Sequence, residues 1–437
     1  MKRYLLILMV LLGGELFAQA AVDDGNNVAD TVVFTLDDCL RYAVSNNYER
    51  QTMELSHKSQ ELSLEQTKKQ RLPSVSMSVS EGYSHNTKGG AMSGSAGINA
   101  SMPIYNGGEI NVSIEQESLR TEQSQLELTR FDDNLSINIL QAFLSVLGNQ
   151  ELLKYQKSVL KSSREAMKQG YAKYETGSIV ESDYLLLVAQ YASDTNNVVD
   201  TQISIDNSLL NLKVLLSMEP ELNLAIVYPD TSAINDEMAL LPPMNEAIER
   251  SVAYSPDLKI SGYDIEIAQK SLRIAKAAQL PSLNLNAGLN TGHDGFTDFG
   301  TQLGERFSQN VGVSLNIPIY SRGANRIKTK QSELSLQQSQ LDYERNALAL
   351  RQTVAQEYQN VVSAYNSFVV SSQSKDAYLK SFEAYNSRFL FGSITAVELL
   401  QQQNNYLNAL NKYIQAKYSF ILERKILDVY MGNGVTM

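Results

Sequence analysis

Side chains that could carry out chemistry are scarce in this sequence. Cys39 is the only cysteine, and the three histidines are His57, His85 and His293. None of them has the spacing of a zinc site, and the sequence contains no phosphate-binding loop. His85 and His293 fall in polar, glycine-rich segments, where unliganded surface histidines are expected. Cys39 has apolar neighbours, which predicts a buried and inert thiol. The carboxylates are spread along charged stretches typical of solvated helix faces, so we expect no enzyme and no bound cofactor.

The N-terminal residues and the net charge indicate where the protein works. Residues 1–20 combine a basic start, an apolar stretch and a small-x-small end, which predicts a secretory signal peptide. No cysteine stands at the predicted cleavage point, so we expect no lipid anchor. The later sequence has no other run of 18 apolar residues, which argues against a transmembrane helix. The formal charge of −11 argues against a nucleic-acid partner. That charge fits either general solubility or the wall of a duct that prefers cations.

The sequence is a tandem duplication. Leu72-Pro73-Ser74 returns in the second half as Leu280-Pro281-Ser282, and Pro103-Ile104-Tyr105 returns as Pro318-Ile319-Tyr320. The distance along the chain from Leu-Pro-Ser to Pro-Ile-Tyr is seven residues longer in the second half than in the first. Insertions are best tolerated in exposed loops, so the additional residues predict a surface loop between the landmarks.

The duplication divides the chain into segments. After a leader at 21–34, the two repeats span 35–218 and 244–432, and a short tail occupies 433–437. Residues 219–243 contain four prolines and are predicted to form a periplasmic linker.

Each repeat contains two segments that predict membrane strands, at about 73–84 and 94–105 and at about 281–291 and 308–320. Polar and apolar residues alternate, so the apolar side chains share one face. Most of each segment is uncharged, and each approaches the length of a tilted membrane strand. The segments 81–92 and 291–306 are expected to be loops at the hairpin tips. Aromatic residues near the strand ends predict an interfacial belt: Tyr83, Tyr105, Phe307 and Tyr320.

The remaining sequence predicts long helices. No proline interrupts about 109–174 or about 324–390, and returning helices are expected at about 179–217 and 396–431. About 65 helical residues would extend roughly 100 Å. A seven-residue leucine repeat predicts coiled-coil seams at Leu119 and Leu126 and at Leu334, Leu341 and Leu348.

Four strands per chain leave two open edges. Unpaired backbone groups cannot face lipid, so the sheet must close. Outer-membrane barrels have at least about eight strands. Two copies would give a narrow barrel filled by side chains, whereas three would give twelve strands and a lumen. We therefore favour a trimer, with the helices continuing the tube.

The duplicated order of helix, strand hairpin, long helix, glycine turn and returning helix resembles the TolC-type outer-membrane efflux proteins. The similarity covers nearly the whole mature chain, and the duplicated Leu-Pro-Ser, Pro-Ile-Tyr and glycine landmarks carry it. It implies a mixed α and β membrane protein. In that fold a homotrimer forms a twelve-stranded outer-membrane β-barrel, continued by a periplasmic α-helical coiled-coil barrel.

The resemblance also implies a function. The protein would be a passive duct in the outer membrane of a Gram-negative bacterium, surrounded by outer-membrane lipid. It would carry small molecules or secreted proteins from an inner-membrane pump and a periplasmic adaptor to the outside. A fibrous coiled-coil stalk without transport activity is the alternative, although it leaves the four strands unexplained.

Two glycine turns are expected to join the long and returning helices. Gly177 and Gly392 suit the left-handed conformation that ends a helix. The residues after them fit capping boxes, Ser178 with Glu181 and Thr395 with Glu398. The turns, including Ser178 and Ser393, resemble the family's adaptor-docking surface.

The resemblance assigns gate candidates close to these turns. Glu398 resembles the family's gate carboxylate, and Gln401 replaces the second carboxylate that the family has three residues later. Asp183 stands where the family has a carboxylate bonded to a tyrosine hydroxyl. Phe389 stands where that tyrosine is expected and has no hydroxyl to donate. Helix capping alone is the competing explanation for Glu398, and the two roles are compatible.

Overall fold

A computed structural model describes residues 32–87, 89–227, 238, 240–295 and 299–435. The predicted signal peptide, the leader up to residue 31, residues 228–237 and 239 of the predicted linker and the last two residues of the tail lie outside the described residues. Among the residues described, no helix combines the length and the apolar character needed to cross a membrane.

Each repeat begins with two shorter helices. In the first repeat α1 spans Leu36–Asn46 and α2 spans Tyr48–Lys69. In the second repeat α5 spans Met244–Tyr254 and α6 spans Pro256–Ala277. Each helix of the second pair lies at a constant distance along the sequence from its counterpart in the first pair. That distance is the same as the distance from Leu72 to Leu280. The duplication seen in the sequence is therefore also a duplication of structure.

Each repeat then forms one long helix and one returning helix. The long helices are α3, Glu109–Glu175, and α8, Ala324–Leu390, and each contains 67 residues. Their length is roughly 100 Å at the rise of an α-helix. The returning helices are α4, Glu181–Leu216, and α9, Ala396–Tyr430. α4 packs along α3, and α9 packs along α8, so each repeat contributes an antiparallel helix pair.

A four-stranded antiparallel sheet sits at one end of the long helices. Its strands are β2 (Ser74–Asn86), β3 (Gly89–Asn106), β5 (Ser282–Asp294) and β6 (Ser308–Asn316). They pair in the order β2-β3-β5-β6, so β2 and β6 are the edges of the sheet. The helices that adjoin these strands follow the same order, with α2 beside α3, α3 beside α6, and α6 beside α8.

The register gives the sheet one apolar and one polar face. Val75 pairs with Ala100, which pairs with Ala287, which pairs with Val311. The next row holds Ser76, Asn99, Gly288 and Asn310. Directly paired residues point to the same side of a sheet, so the period-two alternation of the sequence becomes alternating rows.

The predicted hairpin tips differ from the observed ones. Residues 81–92 do not form a long loop, because β2 continues to Asn86 and β3 begins at Gly89. The second tip contains the end of β5 and a short helix, α7, at Phe299–Glu305. Local backbone pairing thus extends further than the alternation of residue types indicated.

The last predicted strand is also shorter than expected. β6 ends at Asn316, whereas the sequence predicted a strand to about residue 320. The equivalent residues of the first repeat, Met102 to Tyr105, lie within β3, which has a partner on each side. β6 has a partner on one side only within the described part of the chain, so Ile319 and Tyr320 are left 94 % and 84 % exposed.

A small parallel pair of strands was missed entirely. β1 (Val32–Phe34) comes from the predicted leader, and β4 (Leu224–Ile226) comes from the predicted linker. Three-residue strands carry too little alternation to be recognised in the sequence. The pair ties the start of the first repeat to the segment between the repeats.

The expectation that His293 is a surface residue is wrong. The His293 side chain is buried, and its ring nitrogens lie 2.8 Å from Glu81 Oε1 and 2.8 Å from the Gly295 carbonyl oxygen. Glu81 lies on β2 and His293 on β5, so the pair bridges two strands across the intervening β3. Only the three-dimensional pairing of the repeats brings these residues together.

The main core lies where the helix pairs meet. Leu135, Ile139 and Val146 on α3 are buried. Cys39 on α1 joins them with no exposed surface, and this burial raises the pKa of its thiol to about 12. The predicted seam at Leu334, Leu341 and Leu348 is not formed within one chain, because these side chains are 58–66 % exposed.

A buried polar cluster joins the two repeats below this core. The Asp194 carboxylate on α4 accepts hydrogen bonds from Ser163 on α3, from Gln403 Nε2 at 2.6 Å on α9, and from Gln190 Nε2 at 2.9 Å. Asp194, Ser163 and Gln403 are each at most 3 % exposed. A buried carboxylate requires such donors, so the three helices are fixed at this level.

Replacing Asp194 with Ala is expected to destabilise the protein by about 2–3 kcal/mol, because Ser163 and Gln403 would be buried without their acceptor. Chemical denaturation of the detergent-solubilised protein measures this change. Asp200→Ala is the matched control, since Asp200 lies on the same helix and is exposed, and its carboxylate accepts a local bond from Asn196. Equal stability of the two variants would contradict the proposed role of the cluster.

Candidate functional site

Both long helices end in the same turn. Gly177 and Gly392 have φ of 71° and 75°, the left-handed conformation expected of a glycine C-cap. In the first repeat Ser178 N donates to the Lys173 carbonyl at 2.7 Å, and Gly177 N donates to the Tyr174 carbonyl at 2.9 Å. In the second repeat Ser393 N and Gly392 N make the equivalent bonds at 3.0 Å. Both turns are therefore Schellman motifs, in which a side chain at the glycine would be strained.

The capping of the returning helices differs between the repeats. Thr395 and Glu398 form the predicted capping box, with Thr395 N donating to Glu398 Oε2 at 2.8 Å and Glu398 N donating to Thr395 Oγ1 at 3.3 Å. The box predicted for Ser178 and Glu181 is wrong. Val180 is the N-cap of α4 and Glu181 is its first residue, so Glu181 lies too early to reach back to the cap. Ser178 Oγ instead lies 3.0 Å from Thr176 Oγ1.

The capping box also affects the charge of Glu398. Hydrogen bonds from the Thr395 backbone and hydroxyl lower the pKa of the exposed Glu398 carboxyl. The lowered pKa means that the cap is fully formed at neutral pH and is lost as the pH falls through that folded-state value. Glu398 is thus a charged group at neutral pH, suited to either a structural or a channel role.

The other predicted site residues lie close to the same turns. Asp183 is half-buried in the first turn of α4. Gln401 is exposed on α9, and its Nε2 donates to Asn405 Oδ1 at 3.2 Å. Phe389 is buried, with 1 % of its surface exposed, so it acts as a packing residue within this chain.

Lys173 joins the two turns, a role that sequence reasoning missed. Its Nζ donates to the Phe389 carbonyl oxygen and lies 4.4 Å from the centroid of the Phe389 ring. Partial burial lowers the pKa of the Lys173 amine. A cation that both bonds a terminal helix carbonyl and contacts an aromatic face stabilises the end of α8. Lys173 belongs to the first repeat and Phe389 to the second, so their contact could not be found from either segment alone.

An aromatic cluster supports the first turn. The Tyr184 ring of α4 lies 5.6 Å from the ring of Tyr171 and 5.8 Å from that of Tyr174, centroid to centroid. These contacts hold α4 against the last turns of α3. In the described ranges there is no group of three or more His, Cys, Asp or Glu arranged to hold a metal ion. The geometry is that of a shaped protein surface with a few charges.

Comparisons with known proteins agree with this description. The sequence profile of the outer membrane efflux protein family matches residues 40–217 and 247–433, which are the two repeats. The chain belongs to this family. It is an outer-membrane channel of the efflux and secretion type, and the stalk alternative is set aside.

Individual relatives are distant in sequence. The outer membrane protein TolC of Vibrio cholerae is 23 % identical over 356 residues, which cover 77 % of this chain and 79 % of the relative. The alkaline protease secretion protein AprF of Pseudomonas aeruginosa is 20 % identical, over 68 % of this chain and 61 % of the relative. A crystal structure of the channel CusC superposes with a TM-score of 0.78 at 17 % identity, covering 95 % of this chain and 96 % of CusC. The fold of this efflux protein is therefore that of known outer-membrane channels.

Replacing Lys173 with Met is expected to loosen the turn that follows α8. Loss of a charge-assisted bond is worth about 1 kcal/mol here, after allowance for the partial exposure of the amine. Chymotrypsin should then cleave after the exposed Phe391 about five times faster. Lys168→Met is the control, since Lys168 pairs with Glu165 on its own helix. The same rate for both variants would mean that Lys173 does not hold the turn.

Proposed function

We propose that three copies of this efflux protein form one closed tube. The tube serves as the outer-membrane duct of an export system that also contains a periplasmic adaptor and an inner-membrane pump. One observation carries the proposal: in the described residues the sheet has two open edges, and the apolar side chains on its edge strands are exposed. The edges call for further strands, and the apolar face calls for lipid.

The apolar face is the surface that would contact lipid. Val75, Met77 and Val79 on β2 are 64–70 % exposed, and Val311 and Val313 on β6 are 80 % and 61 % exposed. Exposed apolar rows of this size are unfavourable in water and favourable in a bilayer. The opposite face carries Ser, Asn and Gly and suits a wet lumen. Exposed aromatic residues, including Tyr83 and Phe307, supply the interfacial belt.

Closure of the sheet favours three copies. If β6 of one copy pairs with β2 of the next, every edge strand gains a partner and no backbone group is left facing lipid. Three copies give twelve strands, enough for a barrel with an open lumen. The helices continue this wall into the periplasm, where α2 and α8 of neighbouring copies lie side by side.

The turns at the far end of the helices are the proposed docking and gating region. Gly177, Ser178, Gly392 and Ser393 form the rim that faces an adaptor. Three-fold symmetry brings three copies of Glu398 around the axis, with Asp183 and Gln401 close to them. Repulsion among the like charges favours opening, and bound cations or protonation favour a closed tip.

The cargo is a small molecule, such as a drug or another toxic compound, or a secreted protein. A duct presents a wall rather than a fitted pocket, so the pump and the adaptor select what passes through it. The likeness to a protein named for protease secretion supports protein cargo as the second class.

Topology can be tested by labelling intact cells. Epitopes inserted at Gly89 or Gly295, beside the hairpin tips, should be accessible from outside. An epitope inserted at Asn235 in the predicted linker should be labelled only after the outer membrane is opened. Labelling at Asn235 on intact cells would reverse the proposed orientation.

The Glu398→Gln variant separates gating from capping. Gln can fill the same position in a capping box, so assembly should be unchanged. Removal of the three axial charges should change the cation preference of single channels in planar bilayers. The cation preference should also depend less on pH in the acidic range, because the variant lacks the Glu398 carboxyl that takes up a proton there. Wild-type selectivity and pH dependence would mean that Glu398 only caps α9.

A further inference from the structure

The helices at the two open edges of the wall carry unusual exposed leucines. On α8, Leu334 and Leu341 are 64 % and 66 % exposed, and on α2, Leu55 and Leu62 are each 65 % exposed. Each pair is separated by seven residues, the spacing of a coiled-coil seam. Two matching seams without a partner in the described part of the chain suggest that each covers the other in an assembly.

The duplication supplies a template for that contact. Inside the chain, the first repeat packs against the second through α3 and α6. The counterpart of α3 is α8, at the offset that carries Pro103 onto Pro318. The counterpart of α6 is α2, at the offset that carries Leu280 back onto Leu72. If the wall continues by the same step, α8 of one copy meets α2 of the next as α3 meets α6.

The most buried hydrogen bond between α3 and α6 joins residue types that recur at the open edges. Gln116 is 8 % exposed, and its Nε2 donates to Ser271 Oγ at 2.6 Å and to the Ile267 carbonyl at 3.1 Å. The counterparts at the open edges are Gln331 and Ser63. Both glutamine and serine are therefore repeated.

The geometry of the acceptor is repeated as well. Ser271 Oγ donates to the Ile267 carbonyl at 3.0 Å, which leaves its oxygen free to accept from Gln116. Ser63 Oγ likewise donates to the Ser59 carbonyl at 3.1 Å. It is therefore ready to accept from Gln331 of a neighbouring copy.

The charges of the two faces also match. Arg130 on α3 pairs with Asp257 on α6 at 3.2 Å, and the counterparts are Arg345 and Glu49, again a cation and an acid.

For a second ion pair between α3 and α6, the acid and the cation exchange places at the open edges. Glu115 pairs with Arg273 at 3.4 Å, and the counterparts are Lys330 and Glu65. An exchange at both positions keeps the attraction, whereas a change at one position would leave two like charges facing each other.

Three further polar links are replaced by pairs that introduce no repulsion. Lys270 Nζ donates to Glu115 at 2.7 Å, and its counterparts are Leu62 and Lys330. Gln123 donates to Asp264 at 2.7 Å, and its counterparts are Gln338 and Ser56. Tyr263 donates to Glu122 at 2.8 Å, and its counterparts are Leu55 and Gln337. No position of this template thus opposes the docking of a second copy.

We propose that a second copy of this chain docks its α2 antiparallel on α8 in this one register, which rests on the closed assembly proposed above. In this register Gln331 bonds Ser63 of the next copy. Arg345 pairs with Glu49 of the next copy, and Lys330 pairs with Glu65 of the next copy. The leucine seams are covered between these polar links.

Cysteine cross-linking tests the register directly. The native Cys39 is first replaced by Ala, the residue that fills the equivalent buried position at Ala247. Two matched variants then carry Gln331→Cys with Ser63→Cys, and Gln338→Cys with Ser56→Cys. Two crossed variants combine Gln331→Cys with Ser56→Cys, and Gln338→Cys with Ser63→Cys. Matched and crossed positions differ by two helical turns, about 10 Å.

A short thiol-reactive cross-linker is applied to the assembled protein in detergent. Matched variants should give covalent dimers and trimers on denaturing gels at least ten times faster than crossed variants. Oligomers that cross-link faster in the crossed variants would overturn the register and leave the duct intact. Oligomers that cross-link in none of the variants would overturn the proposed contact between α2 and α8 and leave the assembly itself intact. Protein that stays monomeric would overturn both this inference and the proposed assembly.

Charge reversal provides a second readout that does not depend on cysteine variants. Arg345→Glu and Glu49→Arg should each lower the temperature at which the oligomer dissociates. The double variant should restore most of the loss, because the pair is re-formed with opposite polarity between copies. Additive losses in the double variant would contradict the proposed contact.

Discussion

Backbone hydrogen bonding at the edges of the sheet is the constraint on which the rest of this molecule depends. In hydrocarbon, an unpaired N–H or C=O group has no water to replace its missing partner. The chain contributes four strands and leaves β2 and β6 with partners on one side only in the described residues. Strands in this state would leave unpaired backbone groups in lipid, so we infer that assembly of several copies completes the sheet. The frayed end of β6, with Ile319 and Tyr320 exposed, is the local sign of the missing neighbour.

The helices also need neighbours, in their case to bury apolar side chains and to pair buried polar ones. A 67-residue helix with a narrow apolar stripe cannot bury that stripe by itself, and it packs against a returning helix and against the next repeat. Buried polar groups such as Asp194 and Gln116 define the level at which the helices meet, because each has only one set of partners that satisfies it. In the proposed assembly, duplication lets a single pattern of contacts serve within the chain and between copies.

Much of this architecture could be read from the sequence because its signals are periodic and are repeated. The alternation around Val75 and Val311 predicted strands, and the absence of proline predicted the long helices. Gly177 and Gly392 marked both turns, since only glycine suits that backbone conformation at little cost. The Thr395–Glu398 box was predicted correctly, whereas the Ser178–Glu181 box was not, because the sequence does not fix the first residue of α4. The contacts of Lys173 with Phe389 and of His293 with Glu81 join distant segments, so neither pattern nor spacing could reveal them.

The mass of the particle extracted from outer membranes in mild detergent tests the central claim most directly. Native mass spectrometry should give a single species of three chains, because three sets of four strands close the sheet and cover every edge. A stable monomer that forms ion-conducting pores in planar bilayers would contradict this account, since one chain would then have closed its own sheet.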